Sequence, residues 1–185
     1  MAELQTERLI LRRWRESDRE LFAALNTDPE VMEHFPAALD RAASDAMVER
    51  ITAHLDAHGW GLWAVETDDG RFAGFTGLNP VPPTVAALVS GNPTVEVGWR
   101  LARWAWGHGY ATEAATAAVR HGFDVLGLDE IVSFTAAGNL RSRAVMERLG
   151  LTRDPADDFD HPAVPPDSPL RHHVLYRLTC SETGN

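Results

Sequence analysis

Lysine is absent, since all 17 basic residues are arginine. That excludes a Schiff-base enzyme, a P-loop Walker motif and the strand lysine of a protein kinase. Cysteine is nearly absent. Cys180 alone can form neither an internal disulfide nor a thiolate-rich zinc site, and in a polar C-terminal tail it reads as an inert thiol. A reducing, cytoplasmic location is therefore expected. No apolar run of about 18 residues occurs, and Glu3, Glu7, Arg8, Arg12 and Arg13 stand where a signal peptide needs apolar residues, so no membrane partner is expected. Positive charge is the scarcer sign, 17 basic against 27 acidic residues with a formal net charge of -10, so a phosphate-backbone grip on nucleic acid is not expected either. No G-x-S-x-G serine elbow is present.

What is present is a chain of 185 residues, 44% of them hydrophobic, the size of one domain with one core. Arg8 to Trp14 reads as a strand, followed by a helix that starts at the Glu16-Ser17-Asp18 cluster and stops at Asn26-Thr27-Asp28-Pro29. A second helix runs from about Ser44 to a glycine stop at Gly59. Gly61 to Glu66 and Arg71 to Leu78 read as a hairpin around Asp69-Gly70. Asn79 to Pro93, with its prolines, reads as a surface loop. From Thr94 onward the pattern is strand, glycine turn, helix, strand, helix, a unit that calls for parallel neighbouring strands. A proline-rich stretch, Pro162 to Pro169, and a last strand, Arg171 to Leu178, complete a mixed α/β domain over 1–185, with its core at about 4–178.

Two segments carry chemistry. Trp106-Gly107-His108-Gly109-Tyr110-Ala111 opens a helix whose apolar spacing runs from Ala111 to Leu126. The glycines thus precede the first helical turn, where backbone N–H groups and the dipole favour phosphate and no lysine is required. A small-residue packing turn is the alternative. A dinucleotide-binding turn fits less well, because Thr112 replaces the third glycine of G-x-G-x-x-G. The second segment is Asn139 to Gly150, a short helix with an asparagine cap and a glycine stop.

Together these segments resemble the GNAT acetyltransferase superfamily, and within it the Rim-type ribosomal-protein N-terminal acetyltransferases. The resemblance rests on Leu4-Gln5-Thr6-Glu7-Arg8-Leu9, Asp28 to Met32, Glu96-Val97-Gly98-Trp99, Trp106 to Ala114, and Asn139 to Leu151, in that order. It implies a GNAT-like fold, a mixed twisted sheet with splayed central parallel strands and flanking helices, and acetyl-CoA as cosubstrate. The implied cofactor-binding residues are His108, Gly109, Tyr110, Ala111 and Thr112, with Asn139 on the cofactor arm and Arg143, and also Arg103, as charged helpers. Trp106 replaces the Gln or Arg that opens the family's phosphate signature.

The family's tyrosine acid falls seven positions after the asparagine, where this chain has Met146, which cannot donate a proton. Ser142 is the remaining hydroxyl, assigned to stabilising the thiolate. On the strand from Thr94, Glu96 shares a face with Gly98 and Arg100, so it is either the base, directly or through water, or the partner of an arginine. Met32 to Pro36 and the acidic Asp157 to His161 would frame the acceptor. His54 and His58 share a helix face but lack a third ligand, and His172 and His173 point to opposite faces of a strand, so no metal is expected.

The expected function is N-acetylation of a primary amine by direct attack, the acceptor being a protein N-terminus or a small amine. A homodimer is left open. A CoA-binding regulatory domain without turnover is the alternative, and the missing tyrosine is what suggests it.

Overall fold

Nine strands join in one mixed sheet in the computed structural model, which describes residues 3–180. The tail beyond Cys180 lies outside the described residues. In chain order the elements are β1 (Leu4–Gln5), β2 (Leu9–Arg12), α1 (Asp18–Thr27), α2 (Arg41–His58), β3 (Leu62–Thr67), β4 (Phe72–Pro80), α3 (Pro83–Ala86) and β5 (Val95–Leu101). There follow α4 (Tyr110–Asp124), β6 (Glu130–Ala136), α5 (Leu140–Arg148), β7 (Thr152–Arg153), β8 (Phe159–Asp160) and β9 (His172–Thr179). The sheet order is β1-β2-β3-β4-β5-β6-β9-β7, with β8 also paired to β9.

The strand read over Arg8 to Trp14 is the shorter β2, Leu9–Arg12, and β1, Leu4–Gln5, precedes it. Thr6 makes a tight turn, its N–H donating to the Leu9 carbonyl at 2.9 Å, and folds β1 back on β2 with Leu4 opposite Leu11. The Asp69-Gly70 hairpin forms as read, with Gly70 in the left-handed region at φ 82°. The Asn79–Pro93 stretch is not a surface loop. β4 runs on to Pro80, and α3 then turns Val81, Val85, Ala86 and Val89 inward onto Val132, Phe159 and Leu175. Burying these valines outweighs the loop-like look of the prolines, one of which sits in the first turn of α3 where its missing N–H costs nothing.

Helix α4 lies close to the sheet because its inner face is built of small residues: Ala114, Ala115, Ala118 and Gly122. A Cβ at Gly122 would come within 2.7 Å of Ile131 on β6 and 3.1 Å of Leu78 on β4. The helix therefore bridges both sides of the sheet's central junction. That junction is the only parallel one among the described residues, and it is nearly unpaired. β4 and β5 match along seven positions and β6 and β9 along seven, yet β5 and β6 share a single pair, Glu96 with Val132. One further bond crosses the gap, from the Ser133 hydroxyl to the Val97 carbonyl at 2.9 Å. Beyond that vertex the strands part and open a cleft.

Candidate active site

The opening between β5 and β6 leads into a cleft of about 1350 Å³, bordered by the N-termini of α4 and α5 and by the 30–36 segment. Typical small-molecule pockets measure about 300–1,000 Å³, so this one suits a long ligand.

At one end stands the start of α4. Its N-cap is Gly109 at φ 81°, and no side chain caps the helix. Gly107 is left-handed too, at φ 80°, and a Cβ there would meet nothing within 4 Å. Such a turn leaves N–H groups and bare backbone facing the cleft, as a pyrophosphate requires. Gly107 and Gly109 to Glu113 line the cleft. His108 does not; its carbonyl accepts a hydrogen bond from Arg8 at 3.0 Å and its ring stacks on Tyr110.

The turn is held from behind by a contact that sequence reasoning missed. Glu113 accepts from the Thr6 hydroxyl at 2.6 Å, from the Arg8 N–H at 2.9 Å and from the Arg8 guanidinium at 2.8 Å. These bonds hold the Glu113 carboxyl below its ordinary range although burial opposes them. Thr6-Glu7-Arg8 was legible as a family segment, but its role was not, because Glu113 lies more than 100 residues away.

Replacing Gly109 with alanine leaves room for the new Cβ, whose nearest neighbour would be an Arg8 nitrogen at 3.6 Å. Its left-handed backbone then costs about 1–2 kcal/mol. At about 2–4 °C per kcal/mol the melting temperature should fall by a few degrees. Coenzyme A affinity should fall by on the order of tenfold as the turn loses its approach to phosphate. Calorimetric titration beside melting curves checks this; unchanged affinity would remove the phosphate role from the turn.

At the second helix terminus Asn139 caps α5, its Oδ1 accepting from the Ser142 N–H at 3.2 Å. Its amide nitrogen donates to the Ser142 hydroxyl at 3.1 Å and to Thr135 at 3.0 Å. The Ser142 oxygen is thus an acceptor here and keeps its own proton to donate. Asn139, Ser142 and Met146 all line the cleft. Arg143 does not reach it, because it projects from another side of α5, where it donates to the Ala137 carbonyl at 3.1 Å and the Tyr176 hydroxyl at 3.3 Å. Arg103 is taken up by Glu30 at 2.8 Å. A cation that sequence reasoning did not select borders the cleft instead: Arg141, over Trp106 at 4.5 Å and paired with Glu33 at 2.7 Å. Trp106, standing where a Gln or Arg was expected, thereby helps hold one at the mouth.

Glu96 sits at the vertex of the splay. Of the carboxylates lining the cleft, Glu30 and Glu113 are paired with arginines, whereas Glu96, among the described residues, accepts only from the Asn79 amide at 3.0 Å. Burial pushes its carboxyl up to about 7, with the Asn79 bond working against the rise. The alternative of a pair with Arg100 does not occur: Arg100 donates to Asn26 at 2.6 Å. The acidic 157–161 segment does not face the cleft as a cation trap. Asp157 is bound by Arg177, Asp158 by Arg153 and Asp160 by Arg171, and of this segment only His161 lines the cleft. His173 lines it as well, its imidazole pushed down to about 4 by burial and so neutral. Among the described residues no three metal-binding side chains converge, and no helix is long and apolar enough to cross a membrane.

A mixed sheet parted at its one parallel junction, with a glycine-lined helix terminus at the opening, is the architecture of an acetyltransferase. The chain belongs to the GNAT acetyltransferases, for the family model "Acetyltransferase (GNAT) domain" matches residues 8–152. A relative from Aspergillus fumigatus, named FsC-acetyl coenzyme A-N(2)-transacetylase, is 34% identical over 97% of this chain and 77% of its own length. An acetyltransferase of Agrobacterium tumefaciens superposes with a TM-score of 0.76 at 28% identity, covering 96% of this chain and 94% of that one. RimL, a ribosomal-protein alpha-N-acetyltransferase solved with coenzyme A, shares the fold at a TM-score of 0.74 and 15% identity, over 96% and 98% of the two chains. The protein is a transferase.

Proposed function

We propose that this enzyme acetylates a primary amine from acetyl-CoA by direct attack, without an acyl-enzyme. The observation that carries this reading is the convergence on one cleft of an uncapped glycine turn, an unpaired carboxyl and a hydroxyl with a proton to give. Backbone amides of Gly109 to Thr112 would hold the pyrophosphate, Asn139 would border the arm, and the cosubstrate when bound supplies an activated acetyl thioester. Glu96 takes the proton of the attacking amine at its carboxylate. Ser142 Oγ donates to the sulfur as negative charge gathers there, and Asn139 fixes the direction of that donation. The acceptor amine is that of a protein N-terminus or a small molecule; the Aspergillus relative, named for acetyl transfer at an N(2) position, supports a small amine.

Acetyl-CoA at a hundredfold excess over its dissociation constant should add about 2.7 kcal/mol to stability, a rise of several degrees at about 2–4 °C per kcal/mol. NADH should add nothing. A shift with NADH and none with acetyl-CoA would return the turn to a dinucleotide. Coenzyme A release over a panel of amines and N-terminal peptides tests turnover itself, and its absence with every acceptor would leave a binding domain without catalysis.

A further inference from the structure

Arg100 is a cation without an anion. Two other arginines drawn into the interior are matched by carboxylates: Arg12 by Asp18 at 2.7 Å and Glu66 at 2.8 Å, Arg177 by Asp157 at 2.7 Å and Glu130 at 2.9 Å. Among the described residues no carboxylate pairs with Arg100. Its Nη1 donates to the neutral Asn26 side chain, its guanidinium lies over the Phe35 ring at 4.1 Å, and its Nε is buried with no partner. Burying an ion unpaired is costly, and an aromatic face returns only part of that cost. Burial accordingly pulls the guanidinium down to about 10, still charged at neutral pH.

Its position gives the unmatched charge a use. Arg100 lines the cleft on the strand face that also carries Glu96, and between them lies Gly98, where a Cβ would meet nothing within 4 Å. Four strand residues span about 13 Å, at about 3.3 Å per residue. The floor of the cleft therefore runs from an unpaired carboxyl, over bare backbone, to an unpaired guanidinium. Phe35, Phe75 and Asn26, none of them part of the helix termini assigned to the donor, surround the guanidinium.

We infer that Arg100 is the acceptor's anchor, and that the natural acceptor is a small amine bearing a carboxylate, an amino acid or a close derivative. The inference rests on the acetyltransferase reading and narrows its substrate. A planar guanidinium matches a carboxylate with paired charge-assisted hydrogen bonds, and the arriving anion supplies the missing counter-charge. The chain's net charge of -10 gives no general attraction for such a molecule, so selection falls to the partly buried Arg100 guanidinium in the cleft.

The test compares L-amino acids with their own carboxamides, reading coenzyme A release by the full-length enzyme. Removing the carboxylate lowers the basicity of the amine, so intrinsic reactivity near neutral pH favours the carboxamide. Preference for the acid thus reports recognition. The expected kcat/KM ratio for the best acid over its carboxamide is on the order of a hundredfold. Arg100→Met should abolish that ratio by raising KM for the acid, with the carboxamide's KM and the acetyl-CoA melting shift unchanged. Arg100→Lys should restore part of it. Equal use of acids and carboxamides, turnover confined to N-terminal peptides, or an Arg100→Met effect equal on both members of a pair overturns the anchor and leaves acetyl transfer standing. Absence of turnover with every amine and peptide overturns the acetyltransferase reading itself, and the anchor with it.

Discussion

Glu96→Gln is expected to lower kcat/KM by about 10²- to 10⁴-fold near neutral pH, the span that positioned proton transfer supplies. The amide keeps the size of the side chain and can still meet Asn79, but it cannot take a proton. With its carboxyl pushed up to about 7, the wild-type enzyme should gain activity as pH rises through that value and the base ionises. The variant lacks this limb. Its deficit should shrink at higher pH, where the amine deprotonates unaided. Stability gives an independent sign. A carboxyl raised from 4.5 to about 7 holds its proton more tightly in the folded state, so its contribution is fully present below 4.5 and is lost as pH rises through 7. Wild type should therefore lose melting temperature across that window relative to the glutamine variant. Rates and melting curves at matched pH decide the matter; an unaltered pH–rate profile in the variant would end the base assignment.

Ser142→Ala should lower kcat and kcat/KM together, by on the order of tenfold to a few hundredfold, as expected for a donor that acts on charge developing in the transition state. Acetyl-CoA affinity should barely change. The structure also separates this effect from helix capping. The cap of α5 is the Asn139 oxygen, which accepts from the Ser142 backbone N–H, a group that alanine retains. Stability should consequently move little, since alanine is the better helix former. Met146, fully buried beside the cleft, offers no substitute proton. Wild-type turnover by Ser142→Ala would defeat the thiolate role.

The parts of this fold legible in the sequence are those in which local pattern and burial agree. Alanine spacing after Gly109, the Asp69-Gly70 hairpin and the Asn139–Gly150 helix each carry their own start, period and stop. Short strands such as β1, β7 and β8 carry no period to detect. Prolines disguised the Val81–Val89 cluster, whose burial depends on a depression formed by β6, β8 and β9. At the site, the motifs marked Gly109, Asn139, Ser142 and Glu96, but not which charges are spent. Asp157, Asp158 and Asp160 look like a cation trap until Arg177, Arg153 and Arg171 neutralise them. Arg100 looks like Glu96's partner until Asn26 takes it. Pairing is a property of the assembled chain, and alternation along one strand cannot reveal it.

Mechanically, the sheet amounts to two plates butted along β5 and β6 and riveted by one ladder pair and one serine bond. Little in the backbone resists prying them apart, so stiffness comes from the rod laid across the joint. That rod is α4. Its small-residue side is seated on both plates at Gly122, and its front end is pinned to the first strands through Glu113. The aperture between the plates and the height of the glycine turn above it are thus gauged by one member. Any strain that tilts the rod changes both dimensions together.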